Sequence, residues 1–192
     1  YLFASHQDPE VIAALDKWLL HSDAQVYCSK LWARFLPHLT ANFLKLQHGL
    51  STFDRILPIP DQGTIIPLGG ARLQALPAHF LHSVANFHIY DPVSKILFSG
   101  DMGASMTDSI EPVTDFQAHI PKMEGFHRRY MASRKVCALW ADMIRKLDVQ
   151  MIVPQHGQRF EGPEVIKQFL DWISNLDCAI DRMTARDFQI LE

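Results

Sequence analysis

The chain has 192 residues, of which 48% are hydrophobic and 20% are charged, and these proportions are ordinary for a globular protein. Its net charge of −3, from 18 basic and 21 acidic residues, contains no basic surplus, so neither nucleic acid nor an anionic lipid surface is an expected partner. No apolar run approaches the roughly 20 residues that span a bilayer, so we expect no membrane segment.

The three cysteines, Cys28, Cys137 and Cys178, lie far apart in the sequence and form no C-x-x-C pair. Neither a disulfide framework nor a thiolate zinc site is indicated, and a cytoplasmic location fits best. No repeat or linker divides the chain, so we expect one domain over residues 1–192.

The first part of the chain alternates short apolar segments with helical patterns. Residues 1–4 predict a strand that delivers His6 at its carboxyl end, and apolar residues then recur at helical spacing. Residues 24–29 predict a second strand and residues 31–39 a second helix. The polar residues 47–54 predict a surface loop.

The middle third contains short apolar runs separated by turn signals that contain Gly, Pro and Asp, which predicts a β-meander. Its predicted strands are residues 56–59, 64–66, 72–76, 86–90 and 95–99. The last third predicts a long helix over residues 126–147, a strand over 149–154 and a helix from 163 to about 183.

Groups that could bind metal follow the predicted strands. HQDPE (residues 6–10), SGD (99–101) and PQHG (154–157) each stand where a strand ends, and His82 lies between two more strands. Taken singly, these motifs have plainer interpretations as helix caps, a turn carboxylate and a loop histidine. A buried carboxylate without a partner is strongly unfavourable, so their joint occurrence favours a two-metal site over core filling.

The first motif can supply several ligands from one turn. His6, Asp8 and Glu10 stand at i, i+2 and i+4, and extended backbone directs alternate residues to one side. Asp101 follows an apolar strand and a turn, a position suited to a carboxylate that reaches across two ions. His156 follows another apolar strand in the same manner.

The composition of the candidate site favours iron. It contains three imidazoles and three carboxylates: His6, His82, His156, Asp8, Glu10 and Asp101. Carboxylate-rich mixed sites suit iron or manganese better than zinc, although zinc and manganese remain alternatives. Three carboxylates and one bridging hydroxide would neutralise two ferrous ions, which prepares the site for two-electron exchange with dioxygen.

In this order the motifs resemble those of the metallo-β-lactamase fold: H-x-D-x-E, a His within AHFLH (78–82), LFSGD (97–101) and then PQHG. The resemblance is greatest to its di-iron branch, the flavodiiron oxygen and nitric oxide reductases and their shorter relatives, the oxygen-binding di-iron proteins. Hydrolases of the superfamily carry H-x-H-x-D-H at the first motif. Asp8, Glu10 and Val11 replace the second His, the Asp and the last His of that pattern.

The resemblance implies an α/β fold, a four-layer αββα sandwich. The first sheet of that fold normally begins with strands upstream of the H-x-D-x-E turn, and this chain has almost none of them. We therefore expect part of the N-terminal sheet to be missing, most simply because an N-terminal segment is omitted. The alternative is that another chain covers this sheet edge, which leaves a homo-oligomer open.

The resemblance also implies a role for each candidate ligand. His6, Asp8 and His82 would hold one iron ion, Glu10 and His156 the other, and Asp101 would bridge them. Val11 would leave a coordination position open on the second ion. Tyr130 resembles the tyrosine that borders the pocket and could donate a hydrogen bond to bound oxygen, while the plainer interpretation packs its ring in the core.

Three further histidines have weaker cases as site residues. The spacing to the SGD motif favours His82 over His79 as the ligand, and we expect His79 beside the ligands. His88 and His127 could flank the site, although a histidine on a strand face and a histidine on a surface helix are the plainer interpretations.

The leading hypothesis is a non-haem di-iron protein that binds dioxygen or another small diatomic ligand, and that senses or slowly reduces it. No flavodoxin-like segment follows His156, so we expect no FMN in this chain. One alternative is an oxygen or nitric oxide reductase served by a separate electron-transfer partner, and another is a zinc-dependent hydrolase. A redox partner and a chemotaxis or signalling partner both remain open.

Overall fold

The protein folds into short strands and helices that alternate along the chain. A computed structural model describes residues 1–39 and 53–190, so most of the predicted loop at 47–54 lies outside the described residues. The strands are β1 (Leu2–Ala4), β2 (Val26–Ser29), β3 (Ile56–Ile59), β4 (Thr64–Leu68), β5 (Ala71–Pro77), β6 (Phe87–Asp91), β7 (Ile96–Phe98), β8 (Met151–Val153) and β9 (Phe160–Glu161). The helices are α1 (Pro9–Ile12), α2 (Leu15–His21), α3 (Lys30–Ala33), α4 (Leu36–Leu39), α5 (Phe116–Tyr130), α6 (Arg134–Ile144), α7 (Pro163–Ser174) and α8 (Ala179–Arg182), with 3₁₀ turns at Phe53–Arg55 and Ala185–Phe188.

Within the described residues these strands form two sheets. The first is parallel, in the order β1-β2-β3. The second has six strands in the order β4-β5-β6-β7-β8-β9, and only its β7–β8 pair is parallel. Because β7 and β8 run in the same direction, the SGD and PQHG motifs leave the sheet at the same edge.

The two faces of each sheet are distinguished by alternating side chains. In β2, Val26 and Cys28 pack in a cluster with residues of α2 and α4, whereas Tyr27 faces the other sheet. In β6, Phe87 and Ile89 pack between the sheets. A larger apolar cluster joins the second sheet to α5, α6 and α7. The layers are therefore helices, sheet, sheet and helices, which confirms the predicted αββα sandwich.

The predicted helix over residues 126–147 is wrong, because this region contains two helices. α5 already begins at Phe116, where Asp115 caps it by accepting a hydrogen bond from the Ala118 N–H (3.1 Å). Ser133 has extended backbone and caps α6, so the helical pattern is interrupted there. Pro121 lies inside α5 and obscures its first turns, since proline in a helix interior usually marks a helix end.

The predicted helix from residue 163 to about 183 is also shorter than expected. α7 ends at Ser174, and α8 begins only after Cys178. The three cysteines are free and buried. Across residues 1–39 and 53–190, the structure contains no helix that is long and apolar enough to cross a membrane.

Candidate metal centre

Backbone hydrogen bonds between turns bring the scattered motifs together. The Phe87 N–H donates to the Ser5 carbonyl (3.0 Å), which joins the end of β1 in one sheet to the start of β6 in the other. The Gln155 N–H donates to the Gly100 carbonyl (2.7 Å), which joins the turns after β7 and β8. These contacts hold the three strand ends at one edge of the sandwich.

One group of side chains gathers around His6. Its Nε2 lies 3.1 Å from Oδ2 of Asp101 and 3.8 Å from Oδ2 of Asp8. His82 joins the same group, with Nε2 3.7 Å from Asp8 Oδ2 and Nδ1 3.9 Å from Asp101 Oδ2. Two imidazoles and two carboxylates therefore converge on one small volume, as a metal site requires.

A second group lies on the other side of Asp101. His156 Nε2 lies 3.8 Å from Asp101 Oδ1 and 4.0 Å from Glu10 Oε1. The two oxygens of Asp101 thus face different histidines, Oδ2 toward His6 and Oδ1 toward His156. The six candidate ligands thus lie together, and a ligand atom of Glu10 also lies within 4.8 Å of ligand atoms of His6 and Asp8. Their division between two ions, which the resemblance implies, stays a prediction.

The buried nitrogens of these groups fit a metal. His6 is 2% exposed, yet its Nε2 has no hydrogen-bond partner among the described residues. The Nδ1 atom of His82 is also buried and also has no hydrogen-bond partner there. Buried polar atoms without partners are costly and rare in folded proteins. Because each of these nitrogens points at carboxylate oxygens, coordination of a cation would satisfy it.

Charge and orientation at the centre suit a ligand role for Asp101. Burial raises the pKa of this carboxyl, but the approach and charge of His6, together with His82 and His156, hold the pKa below its usual range, so Asp101 is ionised. The other ring nitrogen of His6, Nδ1, lies 2.9 Å from the Ser5 hydroxyl, which fixes the ring orientation.

His82 is presented by a strained turn. Its φ is +62°, and Phe80 has a φ of +64°, although neither residue is glycine. Such conformations cost on the order of 1–3 kcal/mol and persist only where the surroundings enforce them. The Ala132 N–H donates to the Phe80 carbonyl (3.1 Å), and the Asn86 amide donates to the Leu81 carbonyl. The turn is held from both sides, which directs His82 toward Asp8 and Asp101.

Aromatic side chains of α5 border the site. The ring of Phe126 stacks on His82 with 6.0 Å between centroids, and the ring of Tyr130 lies 5.2 Å from His82. Tyr130 is 52% exposed, so its ring is at the rim of the site and not in the core. The Tyr130 ring therefore borders His82 at the surface.

The remaining histidines have structural roles that the sequence did not show. His79 stands outside the ligand groups, with its Nε2 2.8 Å from the Asp61 carbonyl. His88 accepts a hydrogen bond from the Trp140 indole at Nδ1 (3.1 Å), and burial lowers its pKa to about 3. Both interactions join residues far apart in the sequence, so a local pattern could not predict them.

His127 is not the surface-helix histidine of the plainer interpretation. It is fully buried, its Nε2 accepts a hydrogen bond from the Gly103 N–H (2.9 Å), and its Nδ1 donates to the Met123 carbonyl (2.8 Å). Burial lowers its pKa to about 4, so it is neutral. The spacing of Phe116, Met123 and His127 on one helical face was the available signal, and Pro121 concealed it.

Val11 follows Glu10 in the sequence. Its side chain packs against the apolar cluster between the first sheet and its helices. That Val11 leaves a coordination position open on the second ion, as the resemblance implies, stays a prediction.

The fold and its cluster of histidines and carboxylates define a metallo-β-lactamase-like protein with a candidate dinuclear centre. The family model described as ODP family beta lactamase matches residues 1–157. The chain belongs to this family. A search of curated protein sequences gave no significant match.

Several solved structures are similar to this chain. One, described as a peroxy diiron species of the chemotaxis sensor ODP, is 40% identical, with a TM-score of 0.85 over 97% of this chain and 74% of that chain. The apo state of the chemotaxis sensor ODP from T. denticola is 41% identical, with a TM-score of 0.84 over 97% of this chain and 73% of its own. A variant of the flavo di-iron protein from Thermotoga maritima shares the fold at 16% identity, with a TM-score of 0.70 over 90% of this chain and 41% of that chain.

Proposed function

We propose that residues 1–192 form a single domain that holds two iron ions and binds dioxygen as a sensor. The observation that carries this proposal is the position of Asp101, whose two carboxylate oxygens face separate groups of ligands. The similar structure of the chemotaxis sensor ODP, described as a peroxy diiron species, supports the same chemistry. A signalling partner in a cytoplasmic pathway completes the proposal.

The residues present fit the roles that the resemblance implies. As the resemblance implies, His6, Asp8 and His82 would hold one ion, Glu10 and His156 would hold the other, and Asp101 would contact both; the distances between these side chains support this proposal. Two bound iron ions would supply two-electron exchange with dioxygen. The ionised Asp101 carboxylate contributes negative charge between the two groups, which would screen the mutual repulsion of two bound cations.

Other residues of the chain orient the ligands and limit access. Ser5 holds the His6 ring through Nδ1, which leaves Nε2 directed at the site. Phe126 covers one face of His82, so this side of the site is apolar. Tyr130 supplies a phenol O–H at the rim, where it can donate a hydrogen bond to a small polar ligand.

A sensor is favoured over a reductase by the degree of similarity. The chemotaxis sensor ODP is 40% identical to this chain over the aligned residues, whereas the rubredoxin oxygen:oxidoreductase from Desulfovibrio gigas is 12% identical, a level that shows the fold alone. Asp8 and Val11 disfavour a zinc hydrolase, because they remove two imidazoles from the pattern of those enzymes.

Metal analysis of the purified protein, together with its optical spectrum, tests the proposal. We expect iron near two ions per chain and a near-ultraviolet absorption that changes when the anaerobically reduced protein meets air. Protein reconstituted anaerobically with ferrous iron provides the control, because zinc outcompetes ferrous iron during overexpression. If the reconstituted protein bound no iron and retained only zinc, the proposal would be wrong.

A further inference from the structure

A groove lies along α5 at Gly125, Arg128 and Arg129. It has a volume of about 570 Å³ and is formed by α5 together with α8 and the 3₁₀ turn at Ala185–Phe188. We call it the basic groove. Its principal lining residues are Gly125, Arg128, Arg129, Arg182, Met183 and Phe188.

Of the three arginines that line the basic groove, two form no ion pair with a carboxylate of the described residues. Arg128 is paired with Glu124 at 2.9 Å and also donates to the Asp177 carbonyl. Arg129 and Arg182 form no ion pair with any carboxylate among residues 1–39 and 53–190. The basic groove is therefore positive on a chain whose net charge is −3.

The acidic residue at the groove is already engaged. Asp187 also lines it, but its Oδ2 accepts hydrogen bonds from the Thr184 N–H (2.7 Å) and the Thr184 hydroxyl (3.1 Å). These bonds hold the pKa of Asp187 below its usual range and tie the carboxylate to its own turn. The guanidinium groups of Arg129 and Arg182 remain available, and the paired N–H donors of each planar group can bind both oxygens of a carboxylate.

The rest of the groove is apolar and open. Phe188 is 76% exposed and Met183 is 49% exposed, so two large apolar side chains face solvent beside the arginines. At Gly125 a Cβ atom would meet nothing within 4 Å, so a partner can approach the helix backbone closely there. A mixed lining of this kind fits a segment that carries both carboxylates and apolar side chains.

We infer that the basic groove is the docking surface for an acidic, partly apolar segment of a partner protein. This inference rests on the proposed sensing function, because the partner that binds the groove would be the one that receives the signal. Other residues of α5 contact the candidate metal centre: Phe126 and Tyr130 lie against His82, and His127 accepts a hydrogen bond from Gly103 in the turn after Asp101. One helix therefore contacts both the candidate ligands and the groove.

A labelled peptide tests the inference on the full, iron-loaded chain. The probe is a fluorescein-labelled helical peptide with Glu and Leu on one face, and its affinity is measured by fluorescence anisotropy under nitrogen and in air. Arg129→Gln and Arg182→Gln should each weaken binding roughly tenfold, since each removes a charge-assisted hydrogen bond. Arg186→Gln, on the same exposed segment but outside the groove lining, should leave the affinity unchanged.

Steric variants at Gly125 give an independent measurement. Gly125→Leu places a side chain in the groove and favours the helix, so it should abolish peptide binding without lowering the melting temperature. Gly125→Ala adds one methyl group in open space and should retain binding. Equal affinity in all these variants, or binding of phosphatidylserine vesicles in place of the peptide, would overturn the inference.

The optical spectrum of the same samples separates the two proposals. A spectrum that responds to air without any peptide binding would refute the basic groove and leave the oxygen-binding proposal standing. Peptide binding that depends on Arg129 and Arg182, in a protein whose spectrum does not respond to air, would support the groove and refute the sensing function.

Discussion

His127 accepts a hydrogen bond from the backbone N–H of Gly103, two residues after Asp101, at 2.9 Å. Its other ring nitrogen donates to the Met123 carbonyl, so the neutral ring links the turn after β7 to α5. A protonated ring could not accept the Gly103 hydrogen bond. The position of the Asp101 turn therefore depends on a neutral histidine.

This dependence predicts a loss of stability in acid. The pKa of His127 is about 4 in the folded protein and about 6.5 in the unfolded chain, so unfolding takes up a proton between these values. The stabilisation is complete above pH 6.5 and is lost as the pH falls toward 4, at about 1.4 kcal/mol per pH unit. Unfolding of His127→Gln should take up about one proton fewer in this pH window. Its free energy of unfolding should therefore fall less steeply with decreasing pH than that of the wild type.

Chemical denaturation at a series of pH values measures this slope. His21→Gln is a matched control, because His21 is exposed on α2. If wild type and His127→Gln lost stability with the same slope between pH 6 and 4.5, the role assigned to the buried ring would be wrong.

The two carboxylates beside His6 should differ in their importance for metal binding. Asp101→Asn should lose metal more severely than Asp8→Asn, because Asp101 faces both groups of ligands and Asp8 faces one. Metal content per chain after anaerobic reconstitution measures the difference. Retention of two ions in Asp101→Asn, with loss of both in Asp8→Asn, would show that the bridging role is misassigned.

Tyr130 should affect the ligand and not the fold. Its ring is 52% exposed, so Tyr130→Phe should change the free energy of unfolding by less than about 0.5 kcal/mol. If the phenol donates a hydrogen bond to bound oxygen, the variant loses on the order of 1 kcal/mol, which is up to about tenfold in the lifetime of the oxygen-induced absorption band. Stopped-flow spectroscopy measures this lifetime, and an unchanged value would assign Tyr130 to packing alone.

Gly157 sets the direction of the His156 turn. Its φ is +84°, and a Cβ atom at this position would collide with the Ser105 side chain and carbonyl. Gly157→Ala should therefore destabilise the fold by about 2 kcal/mol and displace His156, so that iron falls from two ions per chain toward one. Gly70→Ala is the control, because its Cβ meets nothing within 4 Å, and equal iron content in both variants would contradict this role.

The positions of several candidate ligands could be predicted because these residues follow strands whose apolar patterns are local. The apolar runs before Asp101 and His156 indicate strand ends, and neighbouring parallel strands end at the same edge of a sheet. The grouping of ligands around Asp101 came from the resemblance, and the distances agree with it. Their assignment to individual ions stays a prediction.

The features that were missed depend on contacts distant in sequence. The partner of His127 is 24 residues away, and that of His88 is 52 residues away, so no short pattern distinguishes either ring from an ordinary surface histidine. The start of α5 was missed because Pro121 lies inside the helix, where packing of Phe116 and Met123 outweighs the cost of the proline. Tertiary packing decided these cases.

The reaction of the reduced, iron-loaded protein with dioxygen tests the central claim most directly. Oxygen uptake and the optical spectrum are followed after mixing with air-saturated buffer, with and without NADH and a generic flavoprotein donor. We predict one uptake event, near one dioxygen per two iron ions, with a slowly decaying absorption band and little further consumption. Iron-loaded protein that takes up no oxygen and shows no spectral change would contradict the account, and rapid sustained consumption would identify a reductase instead of a sensor.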